Sequence, residues 1–256
     1  MRRTVPNRPY IFAPVDTMRL ITWNVGMSLA RKQDALFGLR PDVAVLQEVS
    51  GTDVQRYPSS CWIGHLSTKG LGTVAFNGFQ LHRHPAWEPR IEFVVPIEVT
   101  GPVDFLLIAV WAMHHRAVQR IDDRPNRWQL LQALEVYEPL IRSRPTVVAG
   151  DFNNAVFWDR PGKASNHSRA VAKLHDLGLV SAYHTDRAVE QGHEDQPTLY
   201  WTWSESRTYH IDYVWLPKEW RPAITQVEVG DYLTWVAGRL SDHVPLSVDL
   251  DDALIR

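Results

Sequence analysis

Thr146-Val147-Val148-Ala149-Gly150-Asp151-Phe152-Asn153-Asn154 runs from a short apolar segment straight into a glycine, a carboxylate and two amides. The apolar part, Thr146–Ala149, is rich in β-branched residues and reads as a buried strand. Strands usually stop in residues chosen for a turn. Here the stop is built from side chains that also bind cations and phosphates.

Working outward, the pattern recurs. Arg19–Trp23 reads as a strand that ends in Asn24, and Val43–Gln47 as a strand that ends in Glu48. His210-Ile211-Asp212-Tyr213 lies in the strand Tyr209–Leu216, and Ser241-Asp242-His243 precedes the strand Pro245–Asp249. Ile63, Val74–Phe76, Ile91–Val99, Phe105–Trp111, Leu199–Trp203 and Ile224–Val229 supply further strands. Helical spacing marks Arg31–Leu39, ended by Pro41, and His167–Leu177, stopped by Gly178. The longest helical pattern is Asn126–Ile141. Helices interspersed among many strands, several in hairpin succession, predict a layered α/β fold rather than a simple βαβ series.

The 256 residues are 45% hydrophobic and 22% charged, which suits one large domain. Residues 1–17, rich in proline and arginine, read as an extended arm, leaving 18–256 as a single domain. A net charge of -2 argues against a protein that holds nucleic acid through bulk positive charge, although local basic patches escape that test. Cys61 is the one cysteine, so no internal disulfide forms. With no secretory-type apolar core and no membrane-length apolar run, the expectation is a cytoplasmic protein without membrane insertion, and a monomer.

Each polar segment also has a plain structural reading. Asn24 suits a turn, and Ser-Asp-His suits a cap. Asp212 in an apolar strand is costly without a partner. Read together, polar groups delivered from several strand ends can converge at one rim. Carboxylates gathered there repel unless a hard divalent cation sits among them, and a cysteine-free set favours Mg²⁺ or Mn²⁺ over Zn²⁺.

Trp23-Asn24, Leu46-Gln47-Glu48, Gly150-Asp151-Phe152-Asn153, His210-Ile211-Asp212-Tyr213 and Ser241-Asp242-His243, in that order, resemble the endonuclease/exonuclease/phosphatase superfamily with its deoxyribonuclease I-like fold. The resemblance spans roughly Met18 to Asp249. It implies a four-layer α/β sandwich, two packed mixed β-sheets flanked by helices, with the site at one rim. It also implies Glu48 as principal metal ligand with Asn24 beside it, and Asp242 assisting at the metal. Asp151 would position or deprotonate the attacking water, with Asn153 orienting Asp151. His243, held by Asp212, would meet the phosphate or act as acid/base. The identity of the base and the number of metals stay open.

The chain departs from the family pattern where the middle strand closes as Trp111-Ala112-Met113-His114-His115. His114 is the expected contact to the leaving group or phosphate, with His115 its near equal. His210 stands before Ile-Asp where relatives carry other residues, and either adds a phosphate contact or pairs within the sheet. Asn154–Arg169, with Asn154, Trp158 and His167, is placed to form a substrate wall. Arg116, with Arg120, Arg124 and Arg127, either supplies phosphate contacts or forms a solvated approach to the helix. Trp111, Trp158, Trp201 and Trp203 either stack bases or pack the core. The leading expectation is therefore a metal-dependent nuclease or phosphodiesterase acting on nucleic acid. A phosphatase for a small or lipid-like phosphomonoester and a non-catalytic binder of phosphorylated ligands are the alternatives. The full set of metal- and water-handling residues counts against the last.

Overall fold

A computed structural model describes residues 17–113 and 128–255. In chain order the first elements are β1 (Thr17–Asn24), α1 (Leu29–Gly38), β2 (Val43–Val49), the single turn α2 (Gly51–Val54), β3 (Ser59–Leu66) and β4 (Lys69–Ala75). Next come β5 (Gln80–Arg83), β6 (Val94–Thr100), β7 (Phe105–Trp111), α3 (Gln129–Val136), α4 (Glu138–Ile141) and β8 (Thr146–Asp151). The chain continues through α5 (His167–Asp176), β9 (Leu179–Ser181), α6 (Ala182–Arg187), β10 (Leu199–Tyr200) and β11 (Thr208–Tyr209). It closes with β12 (Asp212–Pro217), β13 (Ile224–Val229) and β14 (Leu246–Asp251).

Two mixed six-stranded sheets form, ordered β13-β14-β1-β2-β4-β3 and β5-β6-β7-β8-β12-β9. The period-2 alternation of strand side chains assigns each residue to a layer. Leu20, Val45, Leu107, Ala149, Val214 and Val248 belong to the large apolar cluster between the sheets. Their neighbours face outward. Ile108, Val148 and Trp215 meet Leu130, Leu134, Ala170 and Leu174 of α3 and α5, while Ile21, Trp23 and Leu46 meet Leu29 and Leu36 of α1. The expected four-layer sandwich is the fold. In the first sheet, Arg19 Nε and NH2 grip both oxygens of Asp249 across the β1–β14 pair, at 2.6 and 2.5 Å, where the two residues stand in register.

Several boundaries differ from expectation. The long helix is broken at Tyr137, and Pro139, which has no N–H to give, sits in the first turn of α4. The expected strand Leu199–Trp203 ends at Tyr200; Thr202 and Trp203 take positive φ of 55° and 64° and turn the chain outward. The strand expected over Tyr209–Leu216 is split into β11 and β12. Thr17 already belongs to β1, and the rest of the expected N-terminal arm lies outside the described residues. Among the described residues no helix is long and apolar enough to cross a membrane.

Candidate active site

Register brings the polar strand ends to one rim. Asn24 pairs with Gln47 across the parallel strands β1 and β2, which places Glu48 one residue beyond. In the other sheet Asp151 pairs with Trp111 on one side and Asp212 on the other. Gln47 brackets the sheets, its Nε2 donating to Thr22 Oγ1 and to the Val110 carbonyl, each at 3.2 Å.

Asp151 is fully buried and is held from three directions. Asn24 Nδ2 donates to its Oδ2 at 3.1 Å, Asn153 Nδ2 to the same oxygen at 3.1 Å, and the Asn153 backbone N–H to Oδ1 at 2.7 Å. Two backbone conformations make this possible. Asn153 has φ 50°, a left-handed geometry that asparagine tolerates better than most residues. Gly150 has φ 149°, and a side chain there would overlap the Val110 carbonyl of β7.

Asp212 and His243 form the second half. Their Oδ2 and Nδ1 lie 2.9 Å apart, and both side chains are buried. Thr198 Oγ1 accepts from the backbone N–H groups of Ile211 and Asp212, each at 3.0 Å, and so fixes the start of β12. Ser241 Oγ donates to the Asn24 carbonyl at 2.7 Å and accepts from the His243 backbone N–H at 3.2 Å, tying the last loop to β1. Lys32 on α1 adds a further tie, its Nζ donating to the Val25 and Gly26 carbonyls just past Asn24.

Ligand atoms of Asp151, Asp212 and His243 lie within 4.8 Å of one another. The electrostatics follow from that closeness. Burial, then the charge of Asp212, pushes the Asp151 carboxyl up, against the opposing pull of His243 and Asn24. Burial works against charge on His243, but Asp212, with Asp151 and Asp242, outweighs it and raises the imidazole well above its ordinary value. Asp212 Oδ1 is buried and has no hydrogen-bond partner among the described residues. The unpartnered Asp212 Oδ1, with the carboxylates of Glu48 and Asp242 and the amide of Asn24, gives this rim an oxygen-rich donor set that fits a hard divalent cation.

Glu48 reaches the rim differently. It sits at the irregularity between Gln47 and Val49 in the β2–β4 ladder, with φ 58°. Its Oε2 pairs with Lys69 Nζ at 2.8 Å, outside the three-residue cluster. Met27 N–H donates to the Glu48 carbonyl, so Glu48 is tied to the β1–α1 loop that follows Asn24. Asp242 is partly buried, and its carbonyl accepts from Tyr200 N–H.

The expected substrate contacts divide. Trp158 packs at a tilt on Tyr209, 4.6 Å between ring centroids, beside an exposed Phe157. Asn154 is interior: its Nδ2 donates to the Ser165 carbonyl, so it pins the wall from behind instead of facing a ligand. His167 is buried among Trp128, Phe152 and Tyr213, which takes it out of reach of substrate. His210 is likewise interior, its Nδ1 on the Gln196 carbonyl at 2.7 Å and its ring against Tyr183. Trp111 packs in the core, whereas Trp201 and Trp203 are exposed. His114, His115, Arg116, Arg120, Arg124 and Arg127 lie outside the described residues. Thr198, Lys32 and Lys69 escaped the sequence reading; Ser241 was quoted there only as a member of its motif.

A sandwich of two mixed sheets carrying carboxylates, amides and an Asp–His pair at one rim defines a hydrolytic phosphoesterase. The chain belongs to the Endonuclease/Exonuclease/phosphatase family, whose model matches residues 21–243. No curated protein matches it significantly. Among solved structures it is similar to a 3'-5' exonuclease (NExo) from Neisseria meningitidis, at 20% identity and a TM-score of 0.66, covering 91% of this chain and 100% of that one. It is also similar to the 3' phosphatase NExo from Neisseria bound to a product DNA hairpin, at 19% identity and TM-score 0.64, covering 91% and 99% of the two chains. An AP endonuclease from Archaeoglobus fulgidus is similar at 19% identity and TM-score 0.65, with the same coverage. These likenesses establish the fold, and family membership sets the reaction class as hydrolysis of a phosphoester bond.

Proposed function

We propose that the protein is a Mg²⁺- or Mn²⁺-dependent nuclease or phosphodiesterase that cleaves nucleic acid by attack of water on a phosphodiester. The observation that carries this reading is the meeting of Asp151, Asp212 and His243 within 4.8 Å, with Asn24 and Asn153 both on Asp151.

Asp151 takes the proton of the attacking water. Its raised pKa gives a carboxylate basic enough for that task, and Asn24 and Asn153 aim it. His243, engaged at Nδ1 by Asp212, turns Nε2 to the substrate and faces the phosphate as an imidazolium. That charge stabilises the negative charge that grows on the phosphate oxygens. Glu48, Asn24 and Asp242 would hold the cation, which would supply Lewis-acid neutralisation of the phosphate oxygens. Nucleic acid is favoured over a small monoester by the exposed aromatic groups at this rim. Trp201 is 51% and Phe157 70% exposed, and Trp201 follows directly on Tyr200, whose N–H bonds to Asp242. The DNA named with the Neisseria 3' phosphatase is consistent with this.

A substrate panel with Mn²⁺ or Mg²⁺ tests the proposal. Single-stranded DNA, plasmid, RNA and small phosphomonoesters are each incubated with the full chain, with EDTA and with Asp151→Ala. The expected outcome is nucleic-acid cleavage that stops with EDTA and falls by about 10³-fold or more in the variant. Orthophosphate release from small monoesters with nucleic acid left intact would favour the phosphatase alternative and overturn this reading.

A further inference from the structure

Lys69 is the cation paired directly with Glu48 at the rim. Its Nζ lies 2.8 Å from Glu48 Oε2, and the same ammonium sits 5.4 Å from the centre of the Trp111 ring. Trp111 is the register partner of Asp151, so Lys69 stands between the Glu48 strand end and the Asp151 strand end. Its position is built, not incidental. Lys69 begins β4 beside a two-residue hairpin tip, paired with Leu66. Trp62 lies across that hairpin and donates Nε1 to the Val49 carbonyl at 3.1 Å, one residue from Glu48. Gly51, Gly64 and Gly70 leave room for the Trp62 ring, and a Cβ at Gly64 or Gly70 would collide with it. The hairpin is therefore fastened to the bulged strand that presents Glu48.

We propose that Lys69 is an internal counter-ion that the divalent cation displaces from Glu48. This rests on the metal-dependent reading above only in naming Glu48 as a ligand of the cation. An ammonium and a divalent ion cannot share one carboxylate oxygen without strong repulsion. The pair is also only weakly held, because the Lys69 and Glu48 side chains retain 43% and 24% of their exposure. Without metal, Lys69 keeps Glu48 neutralised and the rim ordered. With metal, the ammonium swings off Glu48 and remains, over Trp111, where an anionic ester must arrive. Metal affinity is thereby set partly by a lysine that ligates nothing.

Mn²⁺ binding to the full chain without substrate, followed by titration calorimetry and by the spin resonance of free Mn²⁺, tests this. Lys69→Met is expected to bind Mn²⁺ on the order of tenfold more tightly than wild type. Lys69→Arg, which keeps the charge, is expected to stay near wild type. In a Glu48→Gln background, Lys69→Met is expected to change the affinity little, since the carboxylate under competition is gone. Unchanged or weaker binding by Lys69→Met overturns the proposal. So does an Arg variant that behaves like Met, or an undiminished effect without Glu48. Because no turnover is read, a chain that shows the exchange yet cleaves no nucleic acid defeats the functional reading alone.

Discussion

His243 and His210 are buried to nearly the same degree, 6% and 5% exposed, yet their surroundings shift their pKa values in opposite directions, His243 up and His210 down. His243 faces carboxylates: Asp212 at 2.9 Å, with Asp151 and Asp242 behind. His210 faces a carbonyl, at Gln196, and the rings of Tyr183 and Tyr213. Burial lowers His210, as it lowers His167 to about 4, because a desolvated imidazolium lacks the partner that His243 has. The lesson is that burial alone makes a histidine structural. The Asp212 carboxylate within hydrogen-bond reach pulls His243 the other way, up from its ordinary value.

The largest expected effect comes from erasing that difference. Asp212→Asn keeps the shape and removes the charge. Turnover on nucleic acid should fall by about 10³–10⁴-fold, as amide replacement does in Asp–His–nucleophile systems. The circular dichroism of the folded chain should be retained. An NMR titration should show the His243 imidazole falling back towards or below its ordinary pKa. Wild-type turnover in this variant would mean that the Asp212–His243 contact is only structural.

The contrast between the two histidine environments also separates what the text could show from what it could not. Asn24, Glu48, Asp151, Asn153 and the Asp212/His243 pair stood out because their residue types contradict plain strand ends; register sets Asp151 beside Asp212, side-chain contacts add Asn24, Asn153 and His243, and Glu48 stays on Lys69 outside that cluster. His167 was expected in a substrate wall, and the structure buries its side chain; a clue to that burial was present. His167, Ala170 and Leu174 stand at i, i+3 and i+7 of α5 and share its buried face. Position just beyond the Gly-Asp-Phe-Asn turn outweighed that periodicity. Lys69 and Thr198 were not legible at all. A lysine beside glycines in a hairpin carries no chemical signature, and Thr198 acts on Asp212 only through the loop closure that brings Oγ1 onto two backbone N–H groups. The sheets were easier than the helices, because Tyr137–Pro139 breaks a helical pattern that apolar spacing alone continues.

A smaller effect tests the neutral side of the comparison. The folded pKa of His167, about 4, lies below the unfolded value near 6.5. Above pH 6.5 neither state takes the proton, and the fold bears no penalty. As pH falls from about 6.5 towards 4, the unfolded chain is protonated and the folded one is not, so stability declines across that window. At pH 5 the single-site loss is roughly 2 kcal/mol. Urea melts at pH 7 and pH 5 should show His167→Phe losing less stability on acidification than wild type by about that amount. An equal loss in both proteins would place the acid sensitivity elsewhere in the molecule.

The smallest effect concerns the residue between the two environments. Tyr213 follows Asp212 on β12. Its hydroxyl donates to the His210 carbonyl at 2.8 Å and lies 3.4 Å from the Asn154 carbonyl, while its ring stacks on His167 at 4.9 Å. Tyr213→Phe keeps the ring and deletes the donor. The cost should be about 1–2 kcal/mol, the loss of one buried hydrogen bond with a carbonyl left unpaired. Turnover should change little, because Asp212 is held independently by Thr198 through its backbone and by His243 through its side chain. If turnover instead falls in step with Asp212→Asn, the two histidine environments are mechanically linked through Tyr213. The neutral nest would then be a support for the charged site and not merely its neighbour.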